Sequence, residues 1–240
     1  MEFLNLLSNK SKDLKREKTP TVAFLGDSVT QGCFECYITE KGQVETVFEA
    51  KYGYHHILED IFSTLYPNVP INYIYAGISG DNAHGGLIRL ERDVLQYSPD
   101  LTVVSFGLND STRGEKGLEI YSDSLRQIFN KLRESGSEVI FLTENMMNTS
   151  VNHNEMKDTL ASIAENTAAV QNSGMLTEYF NEAKRVAEEC GVNVCDVYSK
   201  WQAMYDRGVD INHLLSNSIN HPIRPMHSLF AYSLLDVLIG

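Results

Sequence analysis

The chain has no apolar run that approaches the roughly 18 residues a bilayer-spanning helix needs. It also lacks the marks of a secretory leader. The N-terminus carries Lys10, Lys12, Lys15, Arg16 and Lys18 among polar residues, with neither an apolar core segment nor a small-residue cleavage site. Residues 1–20 are therefore expected to form a short amphipathic helix or a partly disordered arm, and a cytoplasmic location is the default expectation. Basic residues are scarce: 20 Lys and Arg stand against 32 Asp and Glu, a net charge of −12. That balance argues against nucleic acid or an anionic membrane as the main partner. Cysteines are few, with two pairs, Cys33/Cys36 and Cys190/Cys195. Cys33-Phe34-Glu35-Cys36 has CxxC spacing, but it does not open a helix in the thioredoxin manner, and the second pair lacks CxxC spacing for a four-thiolate zinc site. Reduced, structural cysteines are expected, with no metal. Internal repeats, low-complexity tracts and linkers are absent as well.

What remains is a chain of 240 residues, 42% hydrophobic and 22% charged, which fits one α/β domain over 21–240. Thr21–Leu25 (TVAFL) reads as a buried strand. Val69–Ala76, Leu101–Phe106, Glu138–Thr143 and Val192–Val197 are four more strand candidates. Helical spacing recurs between them, in Tyr54–Leu65, Leu87–Gln96, Ile120–Ser135, Leu176–Cys190 and Pro225–Ile239. Alternation at these lengths predicts βαβ units, hence a three-layer α/β/α sandwich with a mostly parallel five-stranded sheet. Asn145–Ser173 breaks the rhythm. It is long and polar and follows the fourth strand, so it is either a substrate-covering lid or a loop with a short amphipathic helix away from the chemistry.

Four short blocks stand out. Gly26-Asp27-Ser28-Val29 follows the first strand, Ala76-Gly77-Ile78-Ser79-Gly80-Asp81 the second, and Gly107-Leu108-Asn109-Asp110 the third. Asn220-His221-Pro222 precedes the last helix. Residues just past parallel strands leave the sheet on one edge, where open α/β folds bind ligands. A serine there is a nucleophile only if a base and oxyanion donors meet it.

These blocks, in this order and spacing, resemble the SGNH/GDSL hydrolase superfamily from about Thr21 to the C-terminus. Tyr75 stands where the family commonly has Asn. The resemblance implies a flavodoxin-like fold and a cofactor-free, metal-independent esterase acting on a small-molecule ester. It further implies Ser28 as nucleophile, His221 as base, and the backbone N–H groups of Ser28 and Gly80 with the Asn109 amide as oxyanion donors. Asp27 and Ser218 are expected beside the substrate. The family's range includes carbohydrate O-deacetylases, lysophospholipases, thioesterases and arylesterases. The absence of a long apolar cap favours a short acyl group such as acetyl, on a carbohydrate.

One departure bears on the base. The family usually carries Asp three residues before the catalytic His, and here that residue is Ser218. A backbone carbonyl or Ser218 orients His221 in a Ser–His dyad, or Asp206 or Asp210 substitutes, or the protein is a weakened, ligand-binding pseudo-enzyme. The dyad is the favoured expectation. His227 is expected to pack rather than to serve as base, Trp201 and Tyr198 to be core or rim aromatics, and nothing requires His55 or His56 in the site.

Overall fold

In the computed structural model, residues 2–153, 156 and 158–240 are described. Helix α1 (Glu2–Lys12) is followed by β1 (Thr21–Gly26), the short α2 (Ser28–Gln31), and the hairpin β2 (Cys33–Ile38) and β3 (Val44–Phe48). Then come α3 (Tyr54–Leu65), β4 (Asn72–Gly77), α4 (Ala83–Asp93), β5 (Leu101–Ser105), α5 (Leu108–Ser111), α6 (Glu115–Glu134) and β6 (Glu138–Leu142). The chain ends with α7 (Asp158–Asn172), α8 (Met175–Glu189), β7 (Asn193–Cys195), α9 (Val197–Tyr205) and α10 (His227–Ile239).

The main sheet runs β4-β1-β5-β6-β7, all parallel. Counted within that sheet the order is 2-1-3-4-5, the flavodoxin-like winding, whose switch point lies beside the first strand. Every residue of β1 and β5 is buried, as expected of strands covered on both faces. Helices α3 and α10 pack together on one side, and α4, α6 and α8 form a row on the other. Phe3 and Leu7 of α1 are fully buried in the same core, so the first residues are tied to the domain rather than projecting from it.

Register positions the site. Gly26 pairs with Gly77 on one side and Ser105 on the other, so β1, β4 and β5 end level and their following turns emerge together. At Gly77 a Cβ would lie 2.4 Å from the Gln31 backbone nitrogen, so glycine lets β4 end against α2.

Several elements depart from the sequence expectations. The second strand starts at Asn72 rather than Val69, because Pro70 cannot donate to the ladder. The fifth is only Asn193–Cys195, since Asp196 turns to cap α9 by accepting from the Ser199 N–H. Helix α4 begins at Ala83, capped by Asn82. The β2–β3 hairpin and α9 were not foreseen. β-branched and aromatic residues in Val44–Phe48 after a Lys41-Gly42 turn are the weak signal that marks the hairpin. Cys33 and Cys36 lie along β2, and all four cysteines are free thiols.

Candidate active site

The Gly26–Val29 turn is built by Asp27. Its Oδ1 accepts the Val29 N–H at 2.9 Å and so caps α2, leaving Ser28 as the first helical residue. Ser28 Oγ lies 3.0 Å from His221 Nε2. His221 Nδ1 lies 2.8 Å from the Phe34 carbonyl oxygen. A carbonyl only accepts, so Nδ1 carries the proton and Nε2 is left to accept from the Ser28 hydroxyl. Burial drives the His221 pKa below its ordinary value; the Phe34 carbonyl and the Glu35 charge oppose that shift. The imidazole is thus neutral at pH 7, the form a general base requires.

The His221 loop is held from several directions. Asn217 Oδ1 accepts the N–H groups of Ile219, Asn220 and His221 at 3.0, 2.9 and 2.9 Å. Asn145 Nδ2 donates to the Asn220 carbonyl at 2.8 Å, and the Asn148 N–H donates to the Ile219 carbonyl at 2.8 Å. The loop that leaves β6 therefore braces the His221 loop.

The Gly80 loop is fixed to the Ser28 turn. The Ile78 N–H donates to the Gly26 carbonyl at 3.1 Å, and the Ser79 N–H to Gln31 Oε1 at 2.6 Å. Gly80 sits at φ +77°, a conformation glycine adopts without strain. Among the described residues no hydrogen bond takes up its N–H. Buried Arg89 clamps the loop from behind. It donates to the carbonyls of Ala76 and Gly26 at 2.7 and 2.9 Å and to Asp81 Oδ2 at 2.7 Å. Asn109 Nδ2 donates to Asp27 Oδ2 at 3.0 Å and to the Asp81 carbonyl at 2.8 Å. Both amide protons are engaged, so Asn109 reaches an oxyanion only by sharing one of them.

Ser28, Gly80, Asn109 and His221 line one cleft of about 380 Å³. Cys36, Val44 and Thr46 of the hairpin and Leu160, Ile163, Asn166 and Thr167 of α7 supply its walls. Asn145–Ser173 therefore reaches the site through α7; residues 154, 155 and 157 of that segment lie outside the described residues. Among the described residues no Asp, Glu, Lys or Arg lines the cleft. A larger groove of about 750 Å³ follows the edge of β4, but it contains neither Ser28 nor His221.

Two expected substrate contacts are corrected. Asp27 is fully buried beneath Ser28, its oxygens taken by Val29 and Asn109, and does not line the cleft. Ser218 sits at φ +55° inside the Leu215–Pro222 turn and likewise does not line the cleft. Nor does a carboxylate among the described residues replace the missing Asp; the partner of His221 Nδ1 is the Phe34 carbonyl. Asp206 is exposed, and exposed Asp210 caps its own turn by accepting the Asn212 N–H. The carboxylate whose charge acts on His221 is Glu35, which is ion-paired with Arg224. Asp206→Asn and Asp210→Asn are each expected to leave ester-hydrolysis kcat within about threefold of wild type. A loss of roughly 10²-fold would mean a carboxylate does orient the base.

The remaining candidates lie in the core. His227 is fully buried, accepts the Tyr54 N–H at 3.2 Å and packs on Phe34; burial pulls its pKa down to about 3. Trp201 and Tyr198 are buried too. Sequence reasoning missed Phe34, Arg89 and Glu144. Only Arg89 carried a signal, as a cation on the apolar face of a helix beside the second block.

Comparisons with known proteins bear on this geometry. The profile of the GDSL-like Lipase/Acylhydrolase family matches residues 24–227. An arylesterase of Vibrio mimicus is 28% identical over 96 residues, covering 38% of this chain and 48% of that protein. The chain thus matches about half the length of that curated relative. A variant of Axe2, an acetyl-xylooligosaccharide esterase from Geobacillus stearothermophilus, superposes with a TM-score of 0.67 at 20% identity, covering 91% of this chain and 94% of that one. An α/β hydrolase enzyme from the metagenome of Lake Arreo, Spain, superposes at 0.66 with 21% identity and the same coverage, 91% and 94%. At these identities the superpositions show the shared fold.

Proposed function

We propose that this chain, which belongs to the GDSL-like lipase/acylhydrolase family, is a serine esterase removing short acyl groups from uncharged, hydroxyl-bearing substrates such as acetylated sugars. The supporting observation is the 3.0 Å contact between Ser28 Oγ and His221 Nε2 in a cleft without a charged side chain among the described residues. His221 Nε2 takes the Ser28 proton as Oγ attacks the ester carbonyl. The oxyanion that forms is met by the N–H groups of Ser28 and Gly80, and by Asn109 through a shared proton. Collapse expels the alcohol, which receives the proton from His221. Water, deprotonated by the same nitrogen, then hydrolyses the acyl-enzyme and frees Ser28.

The backbone carbonyl of Phe34 fixes the tautomer that a carboxylate fixes in a full triad. It carries less charge, so it stabilises the transient imidazolium less. A cleft of about 380 Å³ whose lining is uncharged among the described residues suits a small acyl group on a neutral alcohol. The expected chain-length profile follows: kcat/KM falls by roughly tenfold or more from p-nitrophenyl acetate to the octanoate. Acetate release from acetylated xylooligosaccharides tests the carbohydrate side. A preference for octanoate or palmitate would sink the short-acyl assignment and favour a lysophospholipase or thioesterase. The acetylxylan esterases that share the fold support the acetyl reading, and the arylesterase similarity supports ester hydrolysis.

A further inference from the structure

A second carboxyl group lies behind the nucleophile, and the steps above do not use it. Glu144 follows β6 and is completely buried. Its Oε2 accepts the Leu108 N–H at 3.1 Å, within the turn that carries Asn109. Among the described residues its Oε1 meets no N–H or O–H donor, and the Glu144 and Asp27 carboxyls lie in hydrogen-bonding contact. Two carboxylates cannot hydrogen-bond to each other, so one member of the pair holds a proton. Asp27 accepts two N–H donors, from Val29 and Asn109, whereas Glu144 accepts one. Donors favour the ionised form, so Asp27 is the anion and Glu144 the neutral acid.

We infer that Glu144 is a positioning residue: a neutral acid that bridges the Asn109 turn to the nucleophile turn and so holds the oxyanion donors in register. It grips the Leu108 N–H on one side and gives its proton to Asp27 on the other. Asp27 in turn holds both the Val29 N–H under Ser28 and the Asn109 amide. The inference rests on the serine-esterase reading above.

Burial holds the Glu144 carboxyl well above its ordinary range, with the Asp27 charge adding to the effect. Asp81 in the Gly80 loop and Asp110 of α5 face the pair and oppose a second negative charge. Tyr54 of α3, Tyr121 of α6 and Cys33 of β2 also face it, and burial with the nearby carboxyls keeps them neutral. Arg113 eases Asp110, whose pKa is still pushed up to about 7 by burial. Removing the Glu144 proton at alkaline pH sets two buried anions against each other and breaks the bridge.

Glu144→Gln and Glu144→Leu, assayed on p-nitrophenyl acetate from pH 5 to 10 beside wild type and Ser28→Ala, test this. Glutamine mimics the neutral acid, since its amide donates to Asp27 and its oxygen accepts from Leu108. E144Q is expected to keep kcat within about threefold at pH 7 and to hold it at alkaline pH, where wild type declines. E144L is expected to lose roughly tenfold or more in kcat with little change in KM. Stability supplies an independent readout. A native pKa raised above the unfolded value contributes stability that is present at acid pH and lost as pH climbs toward the native value. The Tm advantage of E144Q over wild type should therefore widen with pH. The inference is overturned if E144L keeps wild-type kcat and pH profile, or if E144Q loses as much as E144L. It is equally overturned if the Tm gap of E144Q does not move with pH. If E144L does not fold, the profile and Tm of E144Q decide. If wild type shows no turnover above Ser28→Ala, the esterase reading fails, and the Tm series alone decides the role of Glu144.

Discussion

Ser28→Ala is expected to lower kcat/KM for p-nitrophenyl acetate by about 10⁴-fold, His221→Ala by a similar factor, and the double variant by no more than either alone. The non-additivity follows from the geometry. Nε2 and Oγ form one hydrogen-bonded unit 3.0 Å across, and the base has no task without the nucleophile. Residual rate would come from oxyanion donors and binding alone. The pH profile of the wild type belongs to the same prediction. Burial lowers the His221 pKa, so its basic form persists to lower pH and the acid limb of kcat/KM should fall below the ordinary histidine value of about 6.5. An S28A protein that retains more than about a tenth of wild-type activity would remove Ser28 as the nucleophile. An acid limb above 7 would mean a carboxylate, not the Phe34 carbonyl, supports the imidazole.

Arg89→Met is expected to be the most destabilising single change among the site's supports. The guanidinium is buried and spans three separate structures: the Gly26 carbonyl before the nucleophile, the Ala76 carbonyl of β4 and the Asp81 carboxylate after Gly80. It also reaches Asp93 one turn along α4, at 3.3 Å. Removing one partner of a buried, hydrogen-bonded charge pair costs on the order of 3–5 kcal/mol, because the partner is left uncompensated. For a chain of this size that corresponds to a Tm drop of roughly 10 °C. Arg89→Lys should recover little, since one ammonium cannot span the three acceptors that a planar fork reaches. The Gly80 loop loses its clamp at the same time, so kcat should fall in the folded fraction. A Tm within about 2 °C of wild type, measured by thermal unfolding, would show that the clamp is dispensable.

Much of the fold was legible because its signals are local. A fully apolar run such as Val22–Leu25 has to be buried on both faces, and its alternation with helical spacing leaves a parallel sheet as the simplest packing. Strand ends were less legible: Pro70 and the Asp196 cap each moved one by two or more residues. The hairpin escaped because its strands are short, half-exposed and mixed in polarity.

The sequence by itself determined which side chains bring chemistry to the strand ends. Ser28, Gly80 and Asn109 sit in turns whose residue types carry their own conformational reasons, and His221 follows at the spacing of a known pattern. It also determined that the family's usual acid is missing at Ser218. Only the tertiary structure decided what takes that acid's place. The group is the backbone carbonyl of Phe34, brought to His221 Nδ1 by a hairpin some 190 residues away in the chain. A carbonyl is the same in every residue type, so no letter of the sequence marks it. Glu144 was hidden for a different reason: a glutamate after a strand reads as solvated, and only the fold, by closing the Asp27 and Leu108 turns over it, buries it completely.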